Sequence, residues 1–278
     1  MKVVTTIDGK FVPREKACIS VFDNALLYAE GLFETFLAVD DRVVFVDDHL
    51  RRLSAGLKVT GLKLPVDRRT LKQWMVQTAA AHPDHIKKLR LTITSGEAAR
   101  WVGTQGSSRV ILSASPHELP QAPYTLHLSE FRIDQNSVFR RIKTISYAIH
   151  AAALKQAKRY RLDDALLLNT SNQVAEVTSA NIFWVKRGRV FTPPISAGCL
   201  DGVTRRVLLR RAPGWGVSIA ERNCQLETLL AADEVFISSS LKVIVPVGKI
   251  RTDKGTFSLT PGPVAEYLRD RFYRLLRI

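Results

Sequence analysis

Short runs of alternating apolar and polar residues fill the first third of the chain and predict a compact mixture of hairpins and helices. Residues 3–12, VVTTIDGKFV, predict a hairpin, because Asp8 and Gly9 supply the positive φ angles of a tight two-residue turn. The run LFETFLAVDDRVVFV (32–46) predicts a second hairpin. It leads into DDHLRRLSAGLKVTGL (47–62), where Asp47 and Asp48 suit a helix start and Gly61 its end. A further amphipathic helix is predicted over 68–81, followed by the strand-like runs KLRLTIT (88–94) and RVILSAS (109–115). Together these make a small α/β unit of about one hundred residues, an ordinary domain size.

The stretch SPHELPQAP (115–123) carries three prolines and no periodicity, which marks it as a linker. Beyond it a helix is predicted from Tyr147 to about Arg159. Short strands follow at ALLLN, QVAEV, NIFWV and RVFTP, punctuated by the turn signals TSN and KRG. A helix opens near DGVTRRVLLRR, two more strands appear at EVFISS and VIVPV, and PGPVAEYLRDRFYRLLRI closes the chain as an amphipathic helix. The expected organisation is an α/β (α+β) two-domain fold. It has a small N-terminal α/β domain (1–114), the linker (115–123) and a larger, β-barrel-like C-terminal domain (124–278). A cleft between two such domains is where a ligand is expected.

Composition narrows the class. With 278 residues, 46% of them hydrophobic and 24% charged, the chain can bury a substantial core and is neither disordered nor fibrous. The net charge of +15 asks for an anionic partner. The basic pairs at 51–52, 87–88, 140–141, 205–206 and 210–211 are scattered and not joined by an aromatic-interleaved stripe, so nucleic-acid binding is a distant alternative and most of the excess reads as solvated surface. Cys18, Cys199 and Cys224 are too few and too far apart for a disulfide framework or a zinc site, which fits a reducing cytoplasm. Neither a signal-peptide stretch nor a membrane-spanning apolar run is visible, so no membrane association is expected.

Five stretches could carry chemistry. In RRIKTISY (140–147), Lys143 ends a strand-like run just before an alanine-rich helix, a junction where an amine can be held rigidly. Its bland reading is a solvated lysine, and that reading suits Arg140 and Arg141 beside it. Glu176, in QVAEVTSANIFWV, stands in an apolar strand just before Asn181. Pointing outward it is ordinary; pointing inward it needs a cationic or proton-donating partner. GVTRR (202–206) places a glycine before a helix start whose free amides favour an anion. Ser238, Ser239 and Ser240 in ISSSLKVIVPV offer donors at a strand end, and the arginines of DDHLRRL could grip a phosphate. Taken singly, a polar loop, a common helix start and an exposed helix face account for these three.

Their order along the chain is more specific. With GLFETF, HLRRL, IKTISY, VAEVTSANIFWV, TPP, LDGVTR and SSSLKVIVPV in sequence from Ile7 to Val247, the chain resembles the class IV aminotransferases. These are the fold-type IV enzymes that use pyridoxal 5'-phosphate (PLP). The resemblance implies that Lys143 forms a Schiff base with PLP and that Glu176 pairs with the pyridine nitrogen. It also implies that Arg52 of the HxxRL pattern, Val203, Thr204, Ser239 and Ser240 hold the phosphate, and that Leu200 packs on the ring. A homodimer is implied as well.

The family includes branched-chain and D-amino acid transaminases and 4-amino-4-deoxychorismate lyase. Arg100 aligns with an arginine placed near the substrate carboxylate in D-amino acid transaminases and in the lyases. The D-amino acid enzymes carry a histidine where this chain has Val102, and a tyrosine where it has Phe33, here a residue of the substrate pocket. SANIFW looks like the lyase stretch. The specific expectation is therefore the lyase, giving 4-aminobenzoate and pyruvate; the alternative is a transaminase of D-amino acids, branched-chain amino acids or other small amines. Ala29 and Glu30 depart from the family's GDG beside the pocket, and Tyr147 is a pocket residue without an assigned contact.

Overall fold

The computed structural model describes residues 3–97, 106–121 and 123–278. It divides into two compact units, Met1–Glu118 with Ile142–Ser146, and Leu119–Arg141 with Tyr147–Ile278.

In the first unit, β1 (Val4–Ile7) and β2 (Lys10–Phe11) form the expected hairpin, with Asp8 at φ 49° and Gly9 at φ 77°. Glycine is doubly required there, since a Cβ on Gly9 would lie 2.3 Å from the Trp74 ring. The helix α1 (Asn24–Tyr28), not anticipated from periodicity, is capped by the Asp23 carboxylate, which accepts the Ala25 N–H at 2.8 Å. The remaining elements are β3 (Gly31–Val39), β4 (Arg42–Val43), α2 (Val46–Thr60), α3 (Arg68–Ala80), β5 (Ile86–Thr94) and β6 (Arg109–Pro116). Gly61, at φ 74°, ends α2.

The strands form an antiparallel sheet in the order β2-β1-β6-β5-β3-β4. Leu32 and Phe36 of β3, with Leu89, Leu91 and Ile93 of β5, pack against Leu50 and Leu53 of α2 and Leu71 and Met75 of α3. Strand alternation therefore places Glu34 on the helix-covered face and Phe33 on the opposite one.

The second unit comprises β7 (Tyr124–Ile133), α4 (Ala148–Arg159), β8 (Asp164–Asn169), β9 (Val174–Val177), β10 (Asn181–Lys186), β11 (Arg189–Thr192), α5 (Val203–Arg211), β12 (Ile219–Glu221), α6 (Leu226–Leu230), β13 (Glu234–Ser239), β14 (Val243–Thr252), β15 (Gly255–Ser258) and α7 (Pro263–Leu276). Its sheet runs β12-β11-β10-β13-β14-β7-β8-β9, with β15 on β14. A bridge between Val177 and Ala180 turns β9 straight into β10, so the sheet curls back on itself in the barrel-like manner expected. The interior holds Leu126, Leu166, Ile182, Trp184, Val235, Ile237 and Val245, while Ala153 and Ala157 of α4 cover Ala165, Leu167 and Ala175 on the outer face. Burial on both faces explains why β8 and β10 read as unbroken apolar runs.

The parallel strand β7 escaped the sequence pattern. Its register on β8 shifts between Leu128 and Arg132, so its buried positions do not alternate. Among the described residues, no helix is long and apolar enough to cross a membrane.

Candidate active site

Lys143 does not end a strand. It follows a 3-10 turn, Val138–Arg141, and the segment Ile142–Ser146 packs with the first unit although its chain neighbours belong to the second. The attachment is built from backbone: Phe33 N–H donates to Lys143 O and Ile145 N–H donates to Gly31 O, each at 3.0 Å, around a bridge between Leu32 and Thr144. Ile142 is buried in the sheet–helix core beside Leu32. Gly31 permits the close approach, because a Cβ there would stand 2.7 Å from both Ile93 O and Ile145 Cδ1. The main chain of Lys143 is thus fixed, and its Nζ lies 4.3 Å from the centroid of the Phe33 ring, which the Arg90 guanidinium also approaches at 4.0 Å.

Beneath the opposite face of β3, Glu34 is almost wholly buried, at 1% exposure, and accepts from Arg52 Nε at 2.8 Å and Nη2 at 2.6 Å. His49 Nδ1 lies 2.7 Å from Glu34 Oε2. Burial by itself would raise the Glu34 carboxyl, but the Arg52 guanidinium and His49 outweigh it and hold the group down at about 2. Burial also pushes the His49 imidazole below its ordinary value, against the pull of Glu34. Because an ionised carboxylate only accepts, Nδ1 carries the proton of that ring. Arg52 was expected from the sequence; its buried partners Glu34 and His49 were not, although H-x-x-R places both side chains on one helical face.

In the second unit, Glu176 points inward from β9 at 5% exposure. Its Oε1 pairs with Arg140 Nη2 and stands 3.4 Å from His150 Nε2, while Oε2 accepts the Leu200 N–H at 2.8 Å. Burial alone would raise this carboxyl; His150, Arg140 and the Leu200 amide outweigh burial and leave it below the ordinary value. Arg140 also donates from Nε to Gly198 O at 3.0 Å, so the solvated reading of this arginine is corrected. Its role was hidden because a charged residue's distant partner leaves no local signal. Tyr147, at the start of α4, stacks on the His150 ring at 4.3 Å and donates its hydroxyl to Thr178 O.

Close by in the same unit, β10 and β13 place Asn181 opposite Ser238, and Asn181 donates from Nδ2 to Leu200 O at 2.8 Å. A Cβ on Gly202 would meet Asn181 Oδ1 at 2.0 Å, which seats the start of α5 against the start of β10. Among the described residues no side chain caps α5, whose first residues Val203 and Thr204 are buried. The Ser238 hydroxyl is buried without a hydrogen-bond partner among the described residues, and Ser239 Oγ accepts the Lys242 N–H at 3.2 Å. Uncapped amides and an orphaned buried hydroxyl are what an anionic group would satisfy. Arg100 and Val102 lie outside the described residues. Glu30 accepts from Asn24 Nδ2 at 3.2 Å.

The first unit thus holds a clamped lysine and the second a buried carboxylate and an uncapped helix start, and comparison with known proteins supplies the class of enzyme. The family model for amino-transferase class IV matches residues 31–250. An aminodeoxychorismate lyase of Bacillus subtilis is 27% identical over 88% of this chain and 85% of its own length. The branched-chain-amino-acid aminotransferase of Escherichia coli is 27% identical over 96% of this chain and 91% of its own. Among solved structures, a branched-chain aminotransferase from Thermoproteus uzoniensis, crystallised with norvaline, superposes with a TM-score of 0.89 at 26% identity, covering 98% of this chain and 94% of that one. The chain belongs to the class IV aminotransferase family, and its cofactor is PLP.

Proposed function

We propose that this enzyme acts on a carboxylate-bearing amine and catalyses the 4-amino-4-deoxychorismate lyase reaction, giving 4-aminobenzoate and pyruvate. The observation that carries the site assignment is the clamp on Lys143, whose backbone is fixed by two hydrogen bonds to β3 while its amine stands 4.3 Å from the Phe33 ring. The SANIFW stretch (179–184) and the relative named for that reaction support the lyase. A transaminase of branched-chain, D- or other small amino acids is the second reading, favoured by the likeness to the Thermoproteus enzyme.

When bound, PLP supplies an electrophilic aldehyde carbon and an electron-accepting ring. Lys143 is the amine that would hold it and that, when free, would move the proton at the substrate α-carbon. Glu176 is the counter-charge for the ring nitrogen. Arg140 and His150 approach its Oε1 and the Leu200 amide its Oε2, which leaves one of a carboxylate's roughly four acceptor positions for a further N–H. Leu200 would pack on the ring. Arg52, which Glu34 holds in one orientation, and separately Val203, Thr204, Ser239 and Ser240 are the residues that the family resemblance assigns to the phosphate. Phe33 and Arg100 are the residues that the family resemblance assigns to the substrate, Arg100 to its carboxylate.

The working form is a homodimer. Val21, Phe22 and Leu26 of the first unit are 63%, 63% and 62% exposed, an apolar group that a second copy would cover. Light scattering of the purified protein checks this.

The reaction is tested in two steps. Purified protein carrying PLP shows a visible absorption band that Lys143→Ala abolishes; a wild-type protein unable to take up PLP refutes the site. Multiple turnovers of aminodeoxychorismate to 4-aminobenzoate without an amino acceptor then identify the lyase. Stoichiometric conversion by an amino donor to the pyridoxamine form identifies the transaminase.

A further inference from the structure

Glu176 is surrounded by more positive charge than a simple counter-ion requires. Arg140 reaches it from the turn Val138–Arg141, pairing with Oε1 while its Nε is tied to Gly198 O at 3.0 Å. His150 reaches it from α4, its Nε2 lying 3.4 Å from Oε1 and 3.3 Å from Arg140 Nη1. A guanidinium only donates and a carboxylate only accepts, so a neutral His150 can satisfy one of the two at a time through that nitrogen. Its Nδ1 is buried with no hydrogen-bond partner among the described residues, so nothing on the far side of the ring selects the tautomer. Two further titratable groups lie near: the Tyr147 phenol, which stacks on the His150 ring and donates to Thr178 O, and the Cys199 thiol, which burial and then the charge of Glu176 push up to about 12 and which therefore stays protonated.

The Glu176 carboxylate thus divides its two oxygens. Oε1 is spent on a fixed cation, and Oε2 is oriented by the Leu200 amide. We propose that Arg140 is a positioning residue that acts through Glu176 to lower the basicity of the bound cofactor's ring nitrogen. By drawing the carboxylate's charge onto itself, it makes that nitrogen release its proton at a lower pH than it would beside a lone glutamate. The consequence for the enzyme is a ring whose electron demand is adjustable through the Arg140–Glu176–His150 group. The inference rests on the reading that Glu176 faces the ring nitrogen.

The holoenzyme, reconstituted with PLP labelled with ¹⁵N in the ring, reports the protonation state directly through its ¹⁵N chemical shift across neutral and alkaline pH. Arg140→Gln is expected to raise the midpoint of that transition by about one pH unit or more, since removing a cation within contact distance of a carboxylate shifts a coupled titration by this order. Arg140→Lys, which restores a cation, is expected to return the midpoint toward the wild-type value, a rescue that a purely structural role would not produce. Arg140→Met replaces the glutamine variant if that one fails to fold. A wild-type ring protonated at every pH, or a midpoint unchanged in the neutral variants, overturns the inference while leaving the site intact. Failure of wild-type protein to bind labelled PLP overturns the functional reading itself.

Discussion

The Glu34 carboxylate takes two nitrogens of the Arg52 guanidinium, Nε at 2.8 Å and Nη2 at 2.6 Å, across eighteen residues of sequence and inside the core of the N-terminal unit. This pair sits under the strand to whose edge the Lys143 segment is bonded, so it links the stability of that unit to the residue proposed for catalysis.

Replacing Glu34 by Gln leaves the buried Arg52 without its counter-charge and is expected to cost about 3 kcal/mol near neutral pH. The sign of its pH dependence follows from the carboxyl being held at about 2, below the ordinary 4.5. Its contribution is complete above the upper value and is lost as pH falls toward the lower one. Urea unfolding of wild type and variant should show a wide gap at neutral pH that closes on acidification, and a gap independent of pH would refute the linkage.

Gly31→Ala tests the clamp on Lys143. The new methyl would stand 2.7 Å from the Ile93 carbonyl, a backbone atom unable to step aside, and 2.7 Å from Ile145 Cδ1. A loss of about 1–3 kcal/mol is expected, accompanied by faster loss of PLP on dialysis. Retention of cofactor at the wild-type rate would show that the segment tolerates displacement.

Arg140 and Glu176 are expected to be coupled in stability. Glu176→Ala strands a largely buried guanidinium and should cost about 3 kcal/mol, whereas Glu176→Ala with Arg140→Met should recover part of it. A double-mutant cycle by chemical denaturation should return an interaction of about 1 kcal/mol or more; strictly additive losses would mean that the pair contributes nothing.

At the start of α5, Gly202→Ala would drive a methyl to 2.0 Å from Asn181 Oδ1. The displacement disturbs the Asn181–Leu200 contact and the amides proposed for the phosphate. Roughly tenfold weaker PLP binding is expected, equivalent to about 1.4 kcal/mol, and fluorescence titration of the apoenzyme measures it. Unchanged affinity would place the phosphate elsewhere.

Much of the architecture was legible in local sequence because its signals are local. The Asp8–Gly9 turn, the stop at Gly61, the helix after Tyr147 and the apolar runs of β8 and β10 each depend on neighbouring residues and their backbone preferences. The family, too, was readable, because its motifs are short and ordered. Elements without such signals, β7 with its register shift and the five-residue α1 and α6, were not.

What the sequence determined by itself was thus most of the elements and the residue types from which a PLP site could be assembled. Only the tertiary structure decided which unit receives Lys143, that Arg52 is held by Glu34 and His49, and that Arg140 turns inward to Glu176. The physical reason is one of range. Periodicity records which face of a helix or strand is buried, over a few residues. The partner of a buried charge is set by Coulomb attraction and desolvation between groups brought together by folding, and these depend on distance in space rather than along the chain.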